Sequence, residues 1–206
     1  MHNVITNSVI ETIRARKSIR AFEHEPIPRD IVNTIIEAGN LAPCMAKEEK
    51  GEVLQPWRFV VVEDREFKQK LVQTALPMWK QFFESIKELD PDNYGKVMKL
   101  YEAMDEPKDP IYYSAPVIIF VIGRTEDAIS CSLACENIIL AACSLGLGSC
   151  YVGFGSMVKN NPEITQALEL KDNERIYGPI LLGYPKDIPE AHALRWKKKE
   201  PVIKWI

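Results

Sequence analysis

The stretch Ala115-Pro116-Val117-Ile118-Ile119-Phe120-Val121-Ile122 decides the fold. An unbroken apolar run of this kind, dominated by β-branched residues, reads as a strand buried on both faces. The segment that follows, from about Thr125 to Leu145, keeps a helical period and turns from amphipathic to wholly apolar, which predicts the most buried helix of the chain. Outward from this pair, Trp57 to Val62, Ser149 to Phe154 and Ile176 to Tyr184 are short runs with strand composition. A helix is predicted from Ser8 to Arg16, with Ser8 and Glu11 as a capping box. A second begins near Pro28, places Ile31, Val32, Ile35 and Ile36 in the core, and stops at Gly39, Asn40 and Pro43. Between Asp64 and Asp105 the apolar residues keep a helical period, interrupted at Pro77 and at Asp90-Pro91. A further helix begins near Asn161-Pro162. Strands and helices alternate without repeat or linker, so residues 1–206 are expected to form one domain.

Twenty-six Lys and Arg stand against 29 Asp and Glu, a net charge of -3, so no general attraction to nucleic acid or to an anionic membrane is expected. The strongly apolar run at Ala115 falls short of the ~20 residues that cross a bilayer, and with no basic leader the expected location is cytoplasmic. Five cysteines (Cys44, Cys131, Cys135, Cys143, Cys150) form an odd set and are expected to be thiols. Cys131, Cys135 and Cys143 stack on one helical face as metal ligands sometimes do. No CxxC accompanies them, and His2, His24 and His192 lie elsewhere, so buried packing is the expected role and no metal centre is assigned.

Familiar chemical signatures are absent. Gly146-Leu147-Gly148 does not extend to GxGxxG, because Tyr151 stands where the third glycine belongs, and no GxxxxGK[ST], GxSxG or HExxH occurs. What remains is Arg16-Lys17-Ser18-Ile19-Arg20. In an extended segment Arg16, Ser18 and Arg20 share one side, two guanidinium forks flanking a hydroxyl, a geometry suited to a phosphate dianion. A solvated charge cluster accounts for the same spacing and is the commoner outcome. Gln55-Pro56-Trp57 enters a strand, where Trp57 fits either as a core residue with an N–H to satisfy or as part of a site. Gly146 to Gly153 joins a helix to a strand; its glycines suit an ordinary turn or a close backbone approach to something flat.

Taken in order, these motifs resemble the FMN-dependent nitroreductases. The resemblance rests on Arg16-Lys17-Ser18-Ile19-Arg20-Ala21-Phe22, on Ala38 to Pro43 followed by Gln55-Pro56-Trp57-Arg58-Phe59, and on Glu136 to Ala142 with Leu145-Gly146-Leu147-Gly148. Gly183-Tyr184-Pro185 and the basic tail Arg195 to Lys199 complete it. It implies an α+β fold with a central, mostly antiparallel sheet surrounded by helices. It also implies a homodimer with FMN at the subunit interface and a C-terminal arm exchanged with the partner. By the same resemblance Arg16, Ser18 and Arg20 hold the FMN phosphate, Lys17 contributes its backbone, and one or more of Arg195, Lys197 and Lys199 reach that phosphate. Pro43, Cys44, Met45 and Gln55 match the family's loop on one side of the flavin, and Val152 and Gly153 match the segment whose amides approach the N5 and O4 edge.

The chain also departs from the family pattern. Cys44 and Met45 replace serines, Lys47-Glu48-Glu49-Lys50-Gly51-Glu52 looks like an inserted solvent loop, and Val53 stands where an asparagine is usual. The helical excursion is expected to wall the substrate pocket, with Trp79, Phe82, Tyr94, Tyr101, Tyr112 and Tyr113 as candidates and most of them core. The activity implied is ping-pong hydride transfer from NAD(P)H through FMN N5 to a nitroaromatic, quinone or similar acceptor, with no catalytic side chain assigned because the flavin carries the chemistry. Same-fold alternatives are a reductive dehalogenase, a flavin-destroying oxygenase and an FMN-storage protein.

Overall fold

The computed structural model describes residues 6–45, 47–49, 52–186 and 201–206. In chain order the elements are α1 (Ser8–Ala15), α2 (Arg29–Asn40), β1 (Lys47–Glu49), β2 (Glu52–Leu54), β3 (Trp57–Val62), α3 (Arg65–Ile86), α4 (Pro91–Glu102), β4 (Val117–Arg124), α5 (Ala128–Ser144), β5 (Gly148–Tyr151), α6 (Pro162–Ala167) and β6 (Glu174–Gly183). Short 3-10 turns at Thr125–Asp127 and Phe154–Ser156 precede α5 and follow β5.

The apolar run is indeed the two-faced strand. β4 lies inside a sheet of order β3-β4-β6-β5 whose neighbours all pair antiparallel. Because successive strand residues point to opposite faces, Ile118, Phe120 and Ile122 enter a core with Leu71, Ala75, Trp79 and Tyr112. Val117, Ile119 and Val121 enter a second core with Val32, Ile35, Cys131, Ala134 and Ile138. Helices on both faces of an antiparallel sheet make the chain α+β. In β6 the register shifts opposite Phe120, where Gly178 takes φ 95° in a β-bulge that a side chain at that position would strain.

α5 carries the most buried face of any described helix, through Cys131, Ala134, Cys135, Ile138, Ile139 and Ala142. Residues Thr125–Ser144, 20 residues with a window of mean hydropathy 1.3, are long and apolar enough to cross a membrane by length and composition alone. Their inner face is instead core of the sheet, and the outer face leaves Ile129 and Leu133 exposed. The five cysteines are free thiols, and burial pushes those of Cys131 and Cys135 up to about 12.

Three expectations need correction. Pro77 does not interrupt the helical excursion: α3 runs through it, because Leu71 and Trp79, buried to 0% and 5% exposure, each contribute ~1.5–3 kcal/mol of burial against a proline cost of ~3 kcal/mol. The break comes only at residues 87–90, where Asp90 caps α4 through the Asn93 N–H. The N-cap of α1 is Asn7, not Ser8, its side chain accepting from the Ile10 N–H at 3.0 Å. The charged insertion is not a plain loop but the β1–β2 hairpin, with Lys47 opposite Leu54.

Candidate functional site

After α1 the chain leaves helical geometry at Arg16 (φ -53°, ψ 129°) and runs extended beside the sheet. Ser18 forms a parallel bridge to Ser149, the Ile19 N–H donates to the Ser149 carbonyl at 2.9 Å, and Phe22 bridges to Pro185. The basic segment is therefore laid against the edge of β5 that β6 leaves open. Gly148 permits this approach: a Cβ there would stand 2.8 Å from Cγ2 of Ile19.

This pairing carries the alternation through. Arg16, Ser18 and Arg20 all act on the buried Cys150 thiol. Burial pushes that thiol up, while the Arg20 guanidinium, contact with the Ser18 hydroxyl and the Arg16 guanidinium pull the other way. Among the described residues no carboxylate pairs with Arg16, Lys17 or Arg20, whereas Arg29, Arg58 and Arg124 each hold one at 3.4 Å or less. Cations gathered without a counter-charge suit an anion from outside.

β5 leads straight from Cys150 to Val152 and Gly153. Here the structure separates two residues that the resemblance treats alike. The Val152 N–H donates to the Pro179 carbonyl at 2.9 Å and is committed within the fold. The Gly153 N–H has no acceptor among the described residues, and a Cβ at Gly153 would meet nothing within 4 Å. Immediately beyond, Phe154 meets Phe82 of α3 at 5.1 Å between ring centroids, and Phe82 itself meets Phe83 at 5.3 Å. An apolar aromatic wall thus begins one residue after the open amide.

Of the six aromatic candidates, Trp79 and Tyr112 are buried core, and the Tyr112 hydroxyl donates to the Gly155 carbonyl at 2.9 Å. Tyr101 stacks on Trp79, and Tyr94 donates to Glu84. Phe82 is 45% exposed at the wall, and Tyr113 faces Arg20. Phe154 was not singled out from sequence; its position one residue past the Gly153 turn was the available signal.

The remaining candidates form a second group. Pro43 and Met45 are exposed, while Cys44 is half-buried against the α2–α5 core. The Gln55 side chain is exposed and lies 3.5 Å from the Asn40 carbonyl. Asn40 also accepts the Trp57 indole N–H at 3.0 Å, a role hidden behind its reading as a helix stop. Among the described residues no hydrogen bond or bridge joins this group to 16–20 or 152–153. Arg195, Lys197 and Lys199 lie outside the described residues. Beyond them, Val202, Ile203, Trp205 and Ile206 are exposed. One chain thus offers an anion cradle with an adjoining open amide and aromatic wall, and separately an apolar loop at the end of α2.

Comparison with known proteins gives these features a context. A model of the nitroreductase family matches residues 13–184. A Bacteroides fragilis nitroreductase solved with bound FMN superposes with TM-score 0.64 and 28% identity, covering 97% of this chain and 96% of that one. An NADPH-flavin oxidoreductase of Vibrio harveyi is 28% identical over 90% of this chain and 69% of its own length. An iodotyrosine deiodinase of Haliscomenobacter hydrossis is 25% identical over 91% of this chain and 84% of its own.

Proposed function

The chain belongs to the nitroreductase family, and from that premise we propose that it binds FMN and works as an NAD(P)H-dependent flavin oxidoreductase on nitroaromatic, quinone or similar electrophilic acceptors. The observation that carries this reading is the set Arg16, Ser18 and Arg20, gathered at the β5 edge without a carboxylate and beside the open Gly153 amide. The donor chemistry fits the group: guanidinium forks and a hydroxyl for a phosphate dianion, an unused N–H and an aromatic wall for a polar-edged flat ring.

When bound, FMN would supply the redox chemistry, a ping-pong hydride transfer between NAD(P)H and the acceptor through its N5. The protein's residues bind and orient. Arg16 and Arg20 pair with the phosphate, Ser18 donates its hydroxyl, and the Lys17 backbone lines the same turn. Gly153 would donate its N–H to the N5 and O4 edge, while Val152 holds that turn to β6 through Pro179. Pro43, Cys44, Met45 and Gln55 cover one side of the ring, and Arg195, Lys197 or Lys199 adds charge at the phosphate. No side chain is asked to act as acid or base.

The two groups of candidates that one chain keeps apart are united in a homodimer. Val9 and Ile13 of α1, Ile129 of α5 and Trp205 of the C-terminal segment, all exposed, supply the apolar surface for it. The fold, the site and the tail then belong to one FMN-binding domain over residues 1–206.

The test is a visible spectrum of the purified protein followed by NADH or NADPH under argon. A yellow protein whose flavin bleaches supports the reading, whereas a colourless protein that takes up no FMN sinks it. The deiodinase relative favours reductive dehalogenation as the second reading. Halogenated phenols turned over in preference to quinones and nitroaromatics would select it.

A further inference from the structure

Outside the residues assigned above, the most constrained backbone is the turn from Asp109 to Ala115. Tyr113 and Ser114 are consecutive non-glycine residues in the left-handed region, at φ 51° and 52°. That conformation persists only where its surroundings over-determine it, and such places concentrate at functional sites. Here the determination is explicit. Asp109 Oδ1 accepts from the Ile111 N–H at 3.1 Å and the Tyr112 N–H at 2.7 Å, and Oδ2 accepts from the Ser114 N–H at 2.9 Å. Burial pushes the Asp109 carboxyl up while these N–H groups hold it down. Lys68 closes the far end, its ammonium donating to the carbonyls of Ala115 at 3.0 Å and Pro116 at 2.7 Å.

The one aromatic side chain that this turn delivers outside the deep core is Tyr113. Tyr112 points inward and is 1% exposed, but the Tyr113 ring lies under Arg20, whose Cζ stands 5.9 Å from the ring centroid. The Tyr113 hydroxyl feels both Arg20 and the Cys150 thiol, on which Arg16 and Ser18 also act. Arg20 itself is exposed, belongs to a segment tied to the sheet at Ser18 and Phe22, and has no carboxylate partner among the described residues. A long arginine with no counter-ion is oriented by what it stacks on, and a ring face within ~6 Å is such a platform.

We propose that the Asp109 turn is a positioning element of the anion site: it holds the Tyr113 ring as a platform that keeps the Arg20 guanidinium aimed at the phosphate of the flavin nucleotide. Asp109 and Tyr113 touch neither phosphate nor ring system and act only through Arg20. The inference rests on the assignment of Arg16, Ser18 and Arg20 to the FMN phosphate.

Riboflavin, which lacks the phosphate, separates positioning from general destabilisation. Titrating the full chain with FMN and with riboflavin by quenching of flavin fluorescence yields a ratio of affinities. Tyr113→Leu and Asp109→Asn should lower that ratio about 3- to 30-fold, the range set by loss of a stacked cation, with riboflavin affinity within about twofold of wild type. Tyr113→Phe, which keeps the ring, should restore the wild-type ratio, and Tyr113→Leu should add nothing in an Arg20→Ala background. If Asp109→Asn does not fold, Tyr113→Leu and Tyr113→Phe decide the matter. An unchanged ratio in Tyr113→Leu, an equal loss of both ligands, or a loss in Tyr113→Phe matching that in Tyr113→Leu overturns the proposal. If Arg16→Ala and Arg20→Ala also leave the ratio unchanged, the phosphate assignment fails with it; if they lower it, only the platform fails.

Discussion

Asn40 Oδ1 accepts the indole N–H of Trp57 at 3.0 Å, joining the last residue of α2 to the first of β3 across the 43–55 excursion. Trp57 is 7% exposed, so this is the partner that a buried indole requires. Asn40→Leu leaves the N–H unsatisfied and should cost ~1–3 kcal/mol in urea unfolding, whereas Asn40→Asp, which keeps the acceptor, should cost less. Equal losses for the two variants would place the role of Asn40 in helix termination alone.

Arg16 tests the anion site directly. Each charge-assisted contact contributes ~1.5–3 kcal/mol, so Arg16→Ala should weaken FMN about 10- to 150-fold. FAD should bind more weakly than FMN to the wild-type protein, since its adenylate extends from the phosphate that the proposal has those residues enclose. Equilibrium titration measures both, and wild-type FMN affinity in Arg16→Ala removes the residue from the site.

The C-terminal segment tests the proposed link between assembly and cofactor retention. Val202, Trp205 and Ile206 are almost fully exposed in a single chain. Deleting Pro201 to Ile206 should therefore lower thermal stability and flavin retention together, because in the proposed homodimer the partner that covers these residues also completes the site. Light scattering on wild-type protein should report a dimer; a soluble monomer that retains FMN contradicts the shared interface.

The loop at Cys44 and Met45 bears on acceptor choice. Met45 is 87% exposed and Cys44 packs partly on the α2–α5 core, so the loop presents apolar surface where hydroxyls are usual. A flat acceptor burying about 100 Å² gains roughly 2.5 kcal/mol, more than the ~1 kcal/mol of one neutral hydrogen bond. Cys44→Ser with Met45→Ser should raise the apparent KM for large quinones more than for small ones, with little change in flavin reduction by NAD(P)H. Stopped-flow and steady-state measurements separate the half-reactions; altered reduction with an unchanged acceptor series would move the loop's role to the donor.

Arg58 reaches across the sheet from β3 to Glu174 of β6, donating to Oε2 at 2.9 Å, and it also donates to the carbonyls of Leu168 and Glu169. The Arg58 contact, largest among its causes, holds Glu174 below its ordinary value of 4.5. A carboxyl depressed on folding contributes stability above its unfolded pKa and loses it as pH falls through the folded one. Acid melting curves should accordingly show wild type losing its advantage over Glu174→Gln below pH about 4.5. A constant gap down to pH 3 would rule out the ion pair as its source.

The two-faced strand at Val117, the buried helix after it and the core face of α2 were legible because each is written in local periodicity, and burial follows from the alternation of apolar side chains. The order of the motifs sufficed to indicate the family. Spacing also showed that Arg16, Ser18 and Arg20 lie on one side if extended, but only the pairing of Ser18 with Ser149 tied that segment to the edge of β5, where all three act on Cys150. The path of α3 through Pro77, the Asn40 bond to Trp57 and the diversion of the Val152 N–H to Pro179 likewise depend on distant partners. Local propensity prices each residue against its neighbours in the chain, whereas these features are set by burial and hydrogen bonds that exist only after remote segments have met.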